Sequence, residues 1–193
     1  MFGAGLAAGG TVPDVRINLE PSLDPASYPY SHTIRVRFSE TDAMGIVHHS
    51  RYLPYLEEAR VEYLREIDHP YSSLRDEGLD IAVLEVAVRY RQPLRFDDLV
   101  TVHVLFGSAT RTTFQMCYLL TVGGEVRATA VTVHGCVTVA GRPVRLPAWL
   151  AAWAAIPYAN ETVGVHLLVG GGLITAANLL LQLRPQPGAG PAA

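Results

Sequence analysis

Ser39-Glu40-Thr41-Asp42-Ala43-Met44-Gly45-Ile46-Val47-His48-His49-Ser50 runs straight into Arg51-Tyr52-Leu53-Pro54-Tyr55-Leu56-Glu57-Glu58-Ala59-Arg60 and on to Ile67, and this stretch decides the fold. In its second half Tyr52, Leu56, Ala59, Tyr63 and Ile67 recur at intervals of three and four, the period of a helix with one apolar stripe. Glu57, Glu58, Arg60, Glu62, Arg65 and Glu66 fall on the other side and are expected to meet water or a rim. Pro54 is tolerated only in a first turn, which pins the helix start, and Ser50 is the expected N-cap. The loop thus delivers one carboxylate, Asp42, and one flexible glycine, Gly45, beside a helix start. Unpaired N–H groups there favour negative charge on whatever docks.

The flanks read as strands. Residues 32–38 alternate polar with apolar. Residues 71–78 suit a short second helix ending near Gly78. Beyond it the period becomes 2. Residues 81–91 set Leu84, Val86, Val88 and Tyr90 on one face, with Glu85, Arg89 and Arg91 on the other, until Pro93 stops them. Residues 99–106, 112–122 and 125–139 are further strands, the last two joined tightly through Gly123-Gly124. Short turns make these strands a meander. The economical packing is α+β: a curved antiparallel sheet wrapped around one long central helix, with edge strands and an open outer face suited to pairing.

Composition bounds the chemistry. The chain has 193 residues, 49% of them hydrophobic, and a net charge of −3, which implies no nucleic-acid surface. It contains no lysine; all 15 basic residues are arginine. A phosphate-loop lysine and a Schiff-base lysine are therefore excluded. Cys117 and Cys136 lie far apart outside any Cys-x-x-Cys, as packed thiols of a cytoplasmic protein do. Residues 1–30, rich in Gly, Pro and Ser, read as a disordered tail; 31–154 are the domain; 155–193 are a partly apolar extension, helical and then disordered. Within that extension, 163–183 has the length of a membrane span, but three glycines and scattered polar groups argue against membrane association.

No Gly-x-Ser-x-Gly elbow is present. His48 and His49 are adjacent, a spacing at which two ligands rarely share one ion, so no metal site is expected. By itself, Asp42 reads first as a turn aspartate bonded to its own backbone two residues on. Glu57, Glu58, Glu62 and Glu85 are weaker candidates for a catalytic carboxylate.

The run from Arg37 to Leu53, with Asp42, Gly45, Val47, His48-His49 and Tyr52 at their spacings, resembles the signature of hotdog-fold acyl-CoA thioesterases of the 4-hydroxybenzoyl-CoA thioesterase type. Leu56-Glu57-Glu58-Ala59-Arg60 and the turn Phe96-Asp97-Asp98-Leu99 fit it as well. The resemblance spans residues 31–147. It implies the hotdog fold and thioester hydrolysis, with Asp42 as nucleophile or general base and the N–H of His49 as oxyanion donor. Gly45 allows the tight loop and His48 bounds the site. It also implies an acyl-CoA substrate, no cofactor beyond the coenzyme A within that substrate, and a homodimer or homotetramer. Tyr52, Arg111, Thr112 and Thr113, with Arg89 and Arg91 as weaker candidates, are the implied substrate contacts; arginine forks suit phosphate. Two other readings stay open: an acyl-carrier-protein thioesterase, and a non-catalytic module that binds acyl-CoA.

Overall fold

A computed structural model describes residues 16–154, all within the first of the two units into which the chain divides, Met1–Tyr158. The expectations for residues 1–15 and 155–193 lie outside the described residues. Five strands form one antiparallel sheet in the order β1-β3-β4-β5-β2: β1 (Tyr30–Arg35), β2 (Leu79–Tyr90), β3 (Leu99–Ala109), β4 (Thr113–Val122) and β5 (Glu125–Thr138). The long helix α1 (Tyr52–Glu66) lies against the inner face; α2 (Tyr71–Asp76) and α3 (Ala148–Ala154) are short. This is the hotdog arrangement, a curved sheet around one helix.

Period-2 patterning builds the core. Val100, Val102, Val104 and Phe106 of β3 and Phe114, Met116, Tyr118 and Leu120 of β4 form the inner face with Ala128 and Ala130 of β5. They meet Tyr52, Tyr55, Leu56, Ala59 and Tyr63 of α1 in one buried cluster. Removing that apolar area from water is what holds helix and sheet together, at roughly 25 cal/mol per Å².

Several details differ from the sequence expectation, each for a local reason. Arg60 is 8% exposed rather than solvated, because it stands one turn beyond Leu56 at the margin of the buried stripe. Strand β1 ends at Arg35, since Glu40 folds back to accept from the Arg37 N–H at 2.8 Å and a 3-10 turn, Phe38–Glu40, follows. Leu84 is the extra residue of a bulge between Val83 and Glu85, so it leaves the face of Val86 and lies over Gly135.

The outer face is not open either. Of the segment expected as a tail, residues 16–29 cross it: Ile17, Leu19 and Tyr28 pack on Cys117, Leu119 and Val131. Strand β4 is consequently buried on both faces. Along the outer edge of β2, by contrast, Val83, Val86 and Tyr90 are exposed, with no strand beyond them among the described residues.

Candidate active site

The Asp42 loop is stitched into the fold by backbone bonds. Asp42 N–H donates to Ile46 O at 2.9 Å, Val47 N–H to Leu94 O at 2.8 Å, and His48 N–H to Glu40 O at 2.9 Å. Asp42 Oδ1 accepts from Met44 N–H at 2.8 Å, the Asx turn that the residue type suggests. Gly45 sits at φ +70°, where a side chain is strained. The chain then enters α1 through a 3-10 turn, His49–Arg51, capped by the His48 side chain rather than by Ser50, whose N–H is 3.4 Å from His48 Nδ1.

One oxygen of Asp42 is thus spoken for by the turn, yet the residue is only half-buried and lines a cavity of about 380 Å³. Met44, His49, Tyr52, Tyr90 and Arg91 line it too. Tyr52 is buried, and burial raises its hydroxyl pKa above the ordinary value; its ring meets Tyr90 edge-on at 4.8 Å. Tyr90 hydroxyl donates to His49 O at 3.2 Å. His49 opens the 3-10 turn, so its N–H has no acceptor within that turn. Behind the loop, Tyr55 hydroxyl donates to Glu40 Oε2 at 2.6 Å, and burial with this bond holds Tyr55 protonated. A carboxylate, an available backbone donor and an apolar-walled recess therefore share one space. That set can polarise a carbonyl and deliver a base or nucleophile to its carbon.

Of the residues singled out in the sequence, Asp42, His49, Tyr52 and Arg91 come together here, and Gly45 shapes the loop between them. His48 does not line the cavity; its ring lies tilted against that of His49, centroids 4.0 Å apart, and its Nδ1 lies 2.9 Å from Ser50 Oγ. Arg89 is on the outer face, paired with Glu20. Thr112 and Thr113, with Arg111 beside them, lie at the β3–β4 turn near Gly135, whereas the cavity lies at the Tyr90–Ala128 end of the sheet. Within one protomer the two places are not brought together. Tyr90 and Gln92 were missed; the signal was Pro93, which ends β2 at the cavity wall. Glu58 faces His32 at 3.2 Å, and Glu85 accepts from the Arg16 N–H, so neither reaches the cavity. Among the described residues no cluster of His, Cys, Asp and Glu could hold a metal ion.

The sequence profile of the thioesterase-like superfamily matches residues 36–154, more than half of the chain. The chain belongs to the thioesterase-like superfamily. As a thioesterase-like protein it is a thioester hydrolase, and the whole Asp42 cavity lies inside the matched residues. Among its relatives is the acyl-CoA thioesterase YbgC of Haemophilus influenzae, 39% identical over 74 residues, 38% of this chain and 54% of that one. A hypothetical protein from Aquifex aeolicus superposes with a TM-score of 0.62 at 40% identity, covering 65% of this chain and 99% of that one. A thioesterase complexed with coenzyme A and Zn from Thermus thermophilus superposes at 0.57 with 29% identity, covering 66% and 93%. Residues 16–35 of this thioesterase-like chain, including the segment across the outer face, precede the matched region.

Proposed function

We propose that the protein hydrolyses acyl-CoA thioesters to the free acid and coenzyme A, with Asp42 as the catalytic carboxylate. The observation that carries this is the presence of Asp42 and His49, at the start of α1, on the wall of one cavity. The acyl-CoA thioesterase among the relatives and the structural relative holding coenzyme A support the substrate class.

The substrate carbonyl oxygen lies against the His49 N–H, where the negative charge of the tetrahedral intermediate is stabilised by a donor already in place. Asp42 either takes a proton from the attacking water or adds to the carbonyl carbon itself, forming an anhydride that water then opens. In both courses the C–S bond breaks, one water is consumed, and the thiolate of coenzyme A leaves and is protonated. Gly45 sets the loop path that presents the carboxylate; Tyr52 and Tyr90 wall the acyl side. Neither a metal nor a redox cofactor has a part in this scheme.

The active form is a homodimer joined along β2, whose exposed apolar edge is the kind of surface that pairs. Cys117 and Cys136, free and buried, suit a reducing compartment, and the cytoplasm is the proposed location. The test is thiol release from a panel of short, long and aromatic acyl-CoA thioesters by the full chain. Catalysed release from at least one supports the proposal, and binding without release from any overturns it.

A further inference from the structure

The two groups assigned to the chemistry sit on opposite limbs of one loop, Asp42 on the entering limb and His49 at the end of the leaving one. Thr41 and Val47 bridge the limbs as an antiparallel pair. Ala43, Met44 and Gly45 at the tip are exposed, so the fold grips the loop from its base. Glu40 stands at that base and bonds in three directions. Its carbonyl oxygen accepts from His48 N–H at 2.9 Å, one residue before the oxyanion donor. Its Oε2 accepts from Arg37 N–H at 2.8 Å and from the Tyr55 hydroxyl at 2.6 Å. The backbone bond joins limb to limb, and the carboxylate joins both to α1.

Tyr55 makes this anchor rigid. It is 2% exposed, packed in the core cluster, and stands three residues beyond Tyr52, the helix residue on the cavity wall. Residues three apart share one helix face, so the same turn of α1 carries the cavity wall and the support of the loop. Glu40 itself is half-buried and is not on the cavity wall, so it has no contact with substrate. Bonds to an ionised carboxylate are shorter and stronger than neutral ones, which suits a clamp. A clamp matters here because donors and bases accelerate a reaction only when held in place beforehand, and a misplacement of about 1 Å can cost about a hundredfold in rate.

We infer that Glu40 is a positioning residue of this site: bonded to Tyr55, it holds the Asp42 carboxylate and the His49 N–H at the spacing the tetrahedral intermediate needs. The inference rests on the hydrolase reading above and adds to it a residue that never meets substrate. Both side-chain bonds end on one oxygen of Glu40. An amide oxygen in the same place can accept both, so the role calls for an acceptor of this length and not for a charge.

The experiment compares the full chain with Glu40→Ala, Glu40→Gln and Tyr55→Phe in thiol release from one acyl-CoA, with Asp42→Asn as reference. Amide hydrogen exchange over residues 40–49 is followed in parallel. In Glu40→Ala, kcat falls about a hundredfold while KM stays within about threefold, and the loop amides exchange at least about tenfold faster with those of β3 and β4 unchanged. Tyr55→Phe, which keeps the ring in the core and removes one bond, loses about tenfold in kcat. Glu40→Gln recovers most of the loss, and the acid limb of its kcat profile stays at the wild-type pH. A kcat for Glu40→Ala within about threefold of the wild type, unchanged loop exchange, or a Glu40→Gln as impaired as Glu40→Ala overturns the inference. So does an acid limb that moves in Glu40→Gln, which would make Glu40 act through its charge. If the wild type releases no thiol, or Asp42→Asn turns over fully, the hydrolase reading falls, and exchange alone decides whether Glu40 holds the loop.

Discussion

Tyr90 donates its hydroxyl proton to the carbonyl oxygen of His49 at 3.2 Å, and so ties the end of β2 to the turn that opens α1. That bond fixes the peptide unit next to the His49 N–H, the donor assigned to the thioester oxygen. Tyr90→Phe keeps the ring against Tyr52 and removes the bond alone. Its loss is expected to lower kcat about fivefold, the equivalent of about 1 kcal/mol. The thermal midpoint should stay within about 4 °C of the wild type. Steady-state kinetics beside a melting curve check this; a large fall in midpoint with kcat unchanged would place Tyr90 in stability only.

Acid should weaken the fold through histidine before carboxylates take part. His134 is fully buried and stacked on Phe114 at 4.8 Å; burial first, and the Arg60 guanidinium second, bring its pKa from 6.5 down to about 3. His103 is lowered as well, by burial. Below pH 6.5 the unfolded chain binds a proton that folded His134 refuses. The contribution is therefore whole above pH 6.5 and is lost progressively as pH falls toward 3. One such group approaches a slope of about 1.4 kcal/mol per pH unit. Denaturant unfolding at pH 6.5 and pH 5 should show this decline, and His134→Gln should make it shallower.

The segment over the outer face also protects a thiol. Cys117 is buried beneath it, and burial pushes its pKa up to about 11. Gly107→Ile places atoms where Leu19 sits and should lift the segment while leaving the inner core between α1 and β3 in place.

 Reaction with an aromatic disulfide reagent is slow in the wild type and should quicken at least tenfold in Gly107→Ile, with little change in circular dichroism. An unchanged rate would mean that the segment does not shield this face.

Arg60 places a guanidinium in the core next to the Tyr118 hydroxyl, with its Nε unpartnered among the described residues. A buried charge without a carboxylate is a poor source of stability. Arg60→Met keeps the volume and removes the charge. Its stability is expected to match or exceed the wild type, by up to about 3 kcal/mol. Midpoints in guanidinium chloride decide; a clear loss would assign Arg60 a structural bond that Met cannot replace.

The helix, the meander and the Asp42 loop were legible because each rests on local signals: a stripe at 3.6, alternation at 2, glycines and prolines between them. The features that were not legible depend on contacts distant in sequence. Residues 16–29 carry no period, and their anchors, Gln115 and Glu85, lie on strands far along the chain. Alternation alone puts Leu84 on the face of Val86, but a bulge adds one residue there and shifts it to the other face. The charge of Arg60 points to solvent, although its helical angle puts it beside the buried stripe. Around the site, Asp42, Gly45, His49 and Tyr52 are neighbours in sequence and were found together. Arg111, Thr112 and Thr113 lie at the far end of the sheet, a position fixed by strand register that no motif spacing records.

The most direct test of the central claim is the kcat of Asp42→Asn on the best acyl-CoA substrate. The side chain keeps its shape and can still accept from the Met44 N–H, so the loop should hold and KM should change little. The account predicts a fall in kcat of about a thousandfold. A variant that turns over within tenfold of the wild type, with its loop intact, would contradict it.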